Sequence, residues 1–390
     1  MGWPAPLPLL LALLYAVWQG YNLYFWRRAI ARYFPDPDGQ LSIALLVPFR
    51  NEAVHLPALV QDLLEQDYPP DRYEIILLDD HSTDESAAVA GASPVEPELR
   101  LLRLQDHPAY ATTVAHKKAA LQLGIDHTTA ELIVTTDADC RWPAGTLSEL
   151  NRVVQAGYDV VLGPVGIAPV YGACSAFQAL DVLGYQLFTA AAVAAGTPAL
   201  ANGAHLAFRR TAFVGVGGYA GVDHLPSGDD VLLLHKFVAA GMRIGCSTAP
   251  ATMVTTKPEA GWGAMFRQRI RWAGKAGSYG SAALSIAQGL AFLASLSILV
   301  GLLCGAYDSQ FLGFALLAWL VKGMADGVLL RTVCQHYGRG ELMRWYALAQ
   351  LIYPFYLVGV GTATLLGVRV KWKGRVATAL AVTLLQISVA

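Results

Sequence analysis

Charge is absent from both ends of this chain and concentrated in its middle. No Asp, Glu, Lys or Arg occurs from Met1 to Trp26, and the first charges met are Arg27, Arg28 and Arg32. Nearly all acidic residues then fall between Pro35 and Glu259. Beyond them uncharged runs return at 276–307, 309–321 and 345–368, with an apolar tail over 376–390. About 20 consecutive apolar residues suffice to cross a bilayer. The pattern therefore predicts one soluble domain flanked by membrane segments. A composition that is 55% apolar and only 15% charged agrees with it.

The order of features at the N-terminus separates an anchor from a cleaved leader. A signal peptide carries positive charge before its apolar run and small residues after it. Here the arginines come last, so the segment is expected to stay as a transmembrane helix. Cationic flanks favour the cytoplasmic side, which places the following domain in the cytoplasm, at a bacterial inner membrane. Three further crossings would leave Arg369, Lys371, Lys373 and Arg375 on the outside, against the same tendency. Pro354, which removes an intrahelical hydrogen bond, is expected to break its segment into an interfacial or re-entrant piece, for three to four crossings in total. Lys322 and Asp326, four apart, either pair within the membrane or lie near its edge.

Composition excludes other classes. A net charge of −1 and the lack of a basic, aromatic-interleaved patch give no footing for nucleic acid. Five widely spaced cysteines form no Cys-x-x-Cys or Cys/His cluster, so neither a disulfide framework nor a zinc site is indicated, and a reducing compartment fits.

Within the middle, β-rich runs alternate with helical patterns: 43–47, a helical 54–66, 74–78, then 132–136, an amphipathic 147–154, and 159–163. This is the rhythm of an α/β fold with a mostly parallel sheet covered by helices, whose sites lie at the carboxyl ends of the strands. The first two strands end in Val47-Pro48-Phe49-Arg50-Asn51-Glu52 and Asp79-Asp80-His81-Ser82-Thr83-Asp84. Paired carboxylates directly after a buried strand are costly unless they hold a ligand or cap a helix. Capping suits Ser82, Thr83 and Asp84 but does not explain Asp79 and Asp80 as well. The third strand delivers Asp137-Ala138-Asp139, whose period-two spacing suits a hard divalent cation, Mg2+ or Mn2+, bound together with substrate phosphates. Ser227-Gly228-Asp229-Asp230 precedes a helical run and reads either as a cap or as the base that an acceptor hydroxyl requires. Gln268-Arg269-Ile270-Arg271-Trp272 sits just before a membrane segment, where an Arg/Trp cluster is also an ordinary interfacial anchor.

These blocks, in this order, together with Asn202-Gly203-Ala204, resemble the membrane-integrated branch of the family 2 glycosyltransferases, which includes cellulose synthase, hyaluronan synthase and ceramide glucosyltransferase. The resemblance implies a GT-A nucleotide-sugar-binding domain over 35–260. Around it would lie an N-terminal anchor over 1–34, an interfacial segment over 261–280 and a C-terminal transmembrane region over 281–390. It implies that Pro48, Arg50, Glu52, Asp79, Asp80, Asp137 and one of Lys117 and Lys118 contact the donor. Asp139, with Asp137, would hold the cation, and Asp230 would be the general base. Asn202, Gly203, Asp229, Gln268 and Trp272 would line the acceptor side, and Arg271 would offset charge on the departing diphosphate. His81 stands where many members have Gly, and Asp229 replaces the commoner Glu.

The implied activity is inverting, metal-dependent transfer from a nucleotide-diphosphate sugar, of the UDP-sugar class, to a lipid or other membrane-embedded acceptor. A processive polysaccharide synthase is the nearest rival, for which the membrane region looks small. A transporter or non-catalytic nucleotide-binding membrane protein is the rival from another class. It would place its polar residues within the spans and show internal repeats, which this chain lacks.

Overall fold

The computed structural model describes residues 5–89, 97–111, 115–225, 227–274, 281–368, 370–372 and 375–377. The apolar tail over 378–390, and Arg369 and Lys373 of the basic run, lie outside the described residues. The chain divides into two compact units: Arg27–Ala168 with Ala192–Lys257, and Met1–Trp26 with Pro169–Ala191 and Pro258–Ala390.

The first unit is built on ten strands: β1 (Ile43–Phe49), β2 (Tyr73–Asp79), β3 (Glu98–Arg103), β4 (Leu132–Thr135), β5 (Cys140–Arg141), β6 (Val160–Leu162), β7 (Val165–Ile167), β8 (Leu206–Arg209), β9 (Ile244–Cys246) and β10 (Val254–Thr256). Seven form one sheet in the order β3-β2-β1-β4-β8-β6-β9. All neighbours pair in parallel except β8, which runs antiparallel to both β4 and β6. The mostly parallel sheet expected from the sequence is present, with one reversed strand. β1, β2 and β4 are near-continuous apolar runs because helices cover both faces of the sheet. One face packs against the helices Leu56–Leu64 and Thr146–Gln155, the other against His116–Asp126 and Val231–Ala239. A smaller sheet, β5-β10-β7, had no legible period in the sequence, its strands being two or three residues long.

The second unit is mainly helical. Among the described residues, three helices are long and apolar enough to cross a membrane: Ala282–Cys304, Ser309–His336 and Gly340–Leu365. The N-terminal helix Leu7–Ile30 is 24 residues long but is not among the three, since Gln19 and Asn22 interrupt its apolar run. Its role as an anchor remains a proposal.

One detail differs from expectation, and one choice left open is decided. Pro354 lies inside the helix Tyr346–Leu365, which continues through it unbroken. Only one backbone donor is lost at a proline, and the surrounding turns keep their own bonds. The helix that begins with the uncharged run 309–321 continues to His336, with Lys322 and Asp326 neutralising each other inside the helix bundle. Lys322 Nζ donates to Asp326 Oδ2 at 2.6 Å, Tyr15 Oη donates to Asp326 Oδ1 at 2.6 Å, and the ammonium lies over the rings of Tyr15 and Tyr353. The choice left open by the sequence is thus decided for a buried pair.

Candidate active site

β1 and β2 stop level with each other, Phe49 opposite Asp79, and β4 ends beside them with Thr135 opposite Leu46. Their following loops therefore share one edge. The first two loops are stitched together by polar side chains. Asn51 Oδ1 accepts from the Thr83 N–H at 2.8 Å, Ser82 Oγ accepts from the Asn51 N–H at 3.1 Å, and Ser86 Oγ accepts from the Glu52 N–H at 2.8 Å. Asp84 Oδ2 accepts from the Ala53 N–H at 3.2 Å while its Oδ1 accepts from the Ser86 N–H at 3.1 Å, so the residue read as a helix cap also binds loop to loop. Asp79 is buried, and its Oδ1 accepts from the Ser82 N–H at 2.9 Å.

His81 has φ of 58°, in the left-handed region that glycine enters freely. The backbone therefore keeps the shape of a glycine position while carrying an imidazole. Its Nδ1 lies 3.0 Å from Asp80 Oδ1, and Nδ1 of His116 lies 3.2 Å from the same oxygen.

A second cluster forms where β8 enters this edge from the opposite direction. Leu206 pairs with Thr135, which puts Asn202 and Gly203 beside the end of β4, and Thr135 Oγ1 donates to the Gly203 carbonyl at 2.8 Å. Lys117 Nζ donates to Asp137 Oδ1 at 2.7 Å and lies 2.9 Å from Asp229 Oδ2. Asp230 Oδ2 accepts from the Gly203 N–H at 3.1 Å, and its Oδ1 from the Val231 N–H at 2.7 Å, capping the helix Val231–Ala239. A β-carbon on Gly203 would sit 3.1 Å from both Asp229 Oδ2 and Lys117 Nζ, so any larger residue here would press on the cluster. Burial alone would lower the Lys117 pKa. The carboxylates of Asp137, Asp229 and Asp230 outweigh it and hold the ammonium well above the ordinary lysine range.

The two adjacent lysines have different fates. Lys117 joins the acids, whereas Lys118 is buried and donates to the carbonyls of Val222 at 2.6 Å and Leu225 at 2.9 Å. Pro48 pairs with Leu78 one step before the end of the ladder, and Arg50 and Glu52 are half-buried on the loop that follows. Gln268, Arg271 and Trp272 belong to the helical unit, on the helix Trp262–Ala273. There Gln268 Nε2 donates to Glu259 Oε1 at 2.7 Å, and the Arg269 guanidinium lies 4.2 Å over the Trp272 ring.

Two residue sets have the chemistry for a divalent cation. Asp137 and Asp139 supply hard oxygen donors that suit Mg2+ or Mn2+. Asp137 is engaged by Lys117, and Asp139 Oδ2 accepts from Thr256 Oγ1 at 3.3 Å. Asp80, His81 and His116 bring one ligand atom each to within 4.8 Å of one another, a mixed nitrogen and oxygen set. Sequence reasoning missed His116, Thr135 and Thr256, and quoted Asn51 only as part of the first loop. Of the three missed, only His116, next to Lys117, had a positional cue. The others are polar residues whose role depends on which loop faces them.

Family models place this arrangement. The model for glycosyl transferase family 2 matches residues 44–170, and that for glycosyl transferase family group 2 matches residues 132–367, more than half of the chain. The chain belongs to the family 2 glycosyltransferases and is an enzyme of that class. It is 33% identical over 125 residues to the undecaprenyl-phosphate 4-deoxy-4-formamido-L-arabinose transferase of Yersinia enterocolitica, a match covering 30% of this chain and 35% of the relative. The enzyme of the same name from Enterobacter sp. strain 638 is also 33% identical, with the same coverage. The chain thus spans about a third of the length of these curated relatives. Among solved structures, the mannosyltransferase PcManGT of Pyrobaculum calidifontis, in complex with GDP-Man and Mn2+, superposes with a TM-score of 0.53 at 21% identity. That alignment covers 91% of this chain and 98% of the other. The shared fold is GT-A.

Proposed function

We propose that this enzyme transfers a sugar from a nucleotide-diphosphate donor, of the UDP-sugar class, to a membrane lipid acceptor, with inversion at the anomeric carbon. The observation that carries the reading is the cluster in which one lysine, Lys117, faces Asp137 and Asp229 beside Asp230. It joins, at one sheet edge, the residues proposed for the donor and for the base. The three apolar helices and the undecaprenyl-phosphate transferases, named for a lipid acceptor, support a greasy acceptor and a bacterial inner membrane, with the GT-A unit cytoplasmic.

In this mechanism Asp79, Asp80, Pro48, Arg50 and Glu52 hold the nucleoside end. Asp137 and Asp139 fit a Mg2+ or Mn2+ ion, which when bound supplies positive charge to the donor diphosphate. Asp230 accepts the proton from an acceptor hydroxyl as that oxygen bonds to the anomeric carbon, and the carbon–oxygen bond to the diphosphate breaks in the same displacement. Gly203 orients the Asp230 carboxylate by its amide. Lys117 and Arg271 offset the charge growing on the leaving group. Asn202, Asp229, Gln268 and Trp272 serve the acceptor side.

The test is purified enzyme with UDP-sugars and a lipid extract. Nucleoside diphosphate release should depend on lipid, and the new glycolipid should carry the anomeric configuration opposite to the donor's. Retained configuration would rule out the single displacement, and release without any glycosylated lipid would rule out the acceptor.

A further inference from the structure

The helix Trp262–Ala273 carries Gln268, Arg271 and Trp272, and between them lies Arg269, a buried charge for which the reaction as described has no use. Its guanidinium Nε donates to Asp181 Oδ2 at 2.8 Å, and Asp181 stands on the helix Ala173–Ala194; both side chains are only 3% exposed. Nη1 of Arg269 donates to Gln268 Oε1 at 2.6 Å, and Gln268 passes the connection on through Nε2 to Glu259 Oε1 at 2.7 Å. Glu259 is clamped through its backbone: its N–H donates to Gln178 Oε1 at 2.8 Å, and its carbonyl accepts from Gln178 Nε2 at 3.1 Å. Gln178 is one helical turn before Asp181, so a single face of that helix supplies both ends of the chain of contacts. On the other side of Arg269 the guanidinium plane covers the Trp272 ring at 4.2 Å.

A cationic fork that bonds an acid, an amide and an aromatic face at once fixes the side chains beside it more tightly than any apolar residue of that size could. The pair is also not tuned for stability alone. Among the described residues, the buried Nη2 of Arg269 has no hydrogen-bond partner, a cost that an apolar replacement would avoid.

We propose that Asp181 and Arg269 are positioning residues for transfer: through Gln268 and Trp272 they set the side-chain orientations that this helix presents, without touching donor or acceptor themselves. The proposal rests on the reading of Gln268, Arg271 and Trp272 as acceptor-side and leaving-group residues.

The experiment uses the full chain in detergent. Asp181→Asn and Arg269→Lys are compared with Arg271→Ala for folding, nucleotide affinity, kcat and KM, and 5-fluorotryptophan labelling reports on Trp272 by 19F NMR. Arg269→Lys keeps the charge but loses the planar fork, so it remains informative if Asp181→Asn folds poorly. Expected for either folded variant are a shifted Trp272 resonance, nucleotide affinity within twofold of wild type, and kcat lowered by 30-fold or more, on the order of 2 kcal/mol. Wild-type kcat in both variants, beside an inactive Arg271→Ala, overturns the role of the pair alone. Wild-type kcat in Arg271→Ala overturns the reading of the helix, and this role with it. Parallel loss of nucleotide affinity and kcat would mark a global defect and equally overturn positioning.

Discussion

Two lysines of this enzyme, one buried and one partly exposed, face aspartates, and they have opposite characters. Lys322, in the membrane helices, meets one acid, Asp326, at 2.6 Å, and the remaining valences of that acid are filled by Tyr15 and Gln19. Charge is balanced there and the polar groups are enclosed. Lys117, at the edge of the sheet, meets Asp137 and Asp229 with Asp230 close by, three carboxylates against one ammonium. That excess of negative charge is not what a stability-driven arrangement would choose, since like charges gathered at one point repel. A balanced, closed pair is electrostatically complete, whereas an unbalanced, partly open one keeps negative charge in excess.

The comparison can be broken at its active end first. Asp230→Asn should lower kcat by about 1,000-fold, within the range of general-base catalysis, while nucleotide affinity measured by titration stays within twofold. A loss below tenfold would show that the acceptor arrives already ionised, as a lipid phosphate does, and needs no base.

At the membrane end, Lys322→Leu alone should destabilise the helical unit by roughly 3 kcal/mol, read as a lowered thermal midpoint in detergent, because Asp326 is left buried and uncompensated. The double variant Lys322→Leu/Asp326→Leu should regain most of that stability with kcat within twofold of wild type. Failure of the double variant to recover would mean that Lys322 does more than hold helices together.

Lys117→Met sharpens the same contrast from the other side. With the ammonium gone, Asp137 loses its ion-pair partner and can join Asp139 on a metal, so Mn2+ affinity followed by electron paramagnetic resonance should rise several-fold even as kcat falls by about 100-fold, on the order of 3 kcal/mol. Unchanged Mn2+ affinity would separate Asp137 from the cation.

The smallest effect lies beneath the cluster. His205 is buried, and burial pushes its pKa down to about 4 despite its contact with the Pro164 carbonyl. The unfolded chain takes up a proton near pH 6.5 that the folded one refuses. Stability present above pH 6.5 should therefore be lost as pH falls towards 4, by about 2 kcal/mol at pH 5. His205→Asn should flatten this part of the pH profile of thermal unfolding, and an unaltered slope would show that another group titrates.

The sequence alone determined the alternation of charged middle and apolar ends, and the apolar strands that carry Asp79, Asp80 and Asp137 to one edge, because burial of strands and spans is written directly in hydropathy. It also delivered the helix Val231–Ala239 and the acids that precede it, since capping is a local property. It could not tell Lys117 from Lys118. Neighbours on a helix point about 100° apart, and only the packed sheet decides which of them reaches Asp137. It placed Pro354 as a break, where the helix runs on through it. It named Gly203 but not the tight approach to Lys117 and Asp229 there, and it gave no hint that Asp181 lies against Arg269, 88 residues away in the chain. Those facts belong to tertiary structure, because each depends on two distant segments arriving at one point.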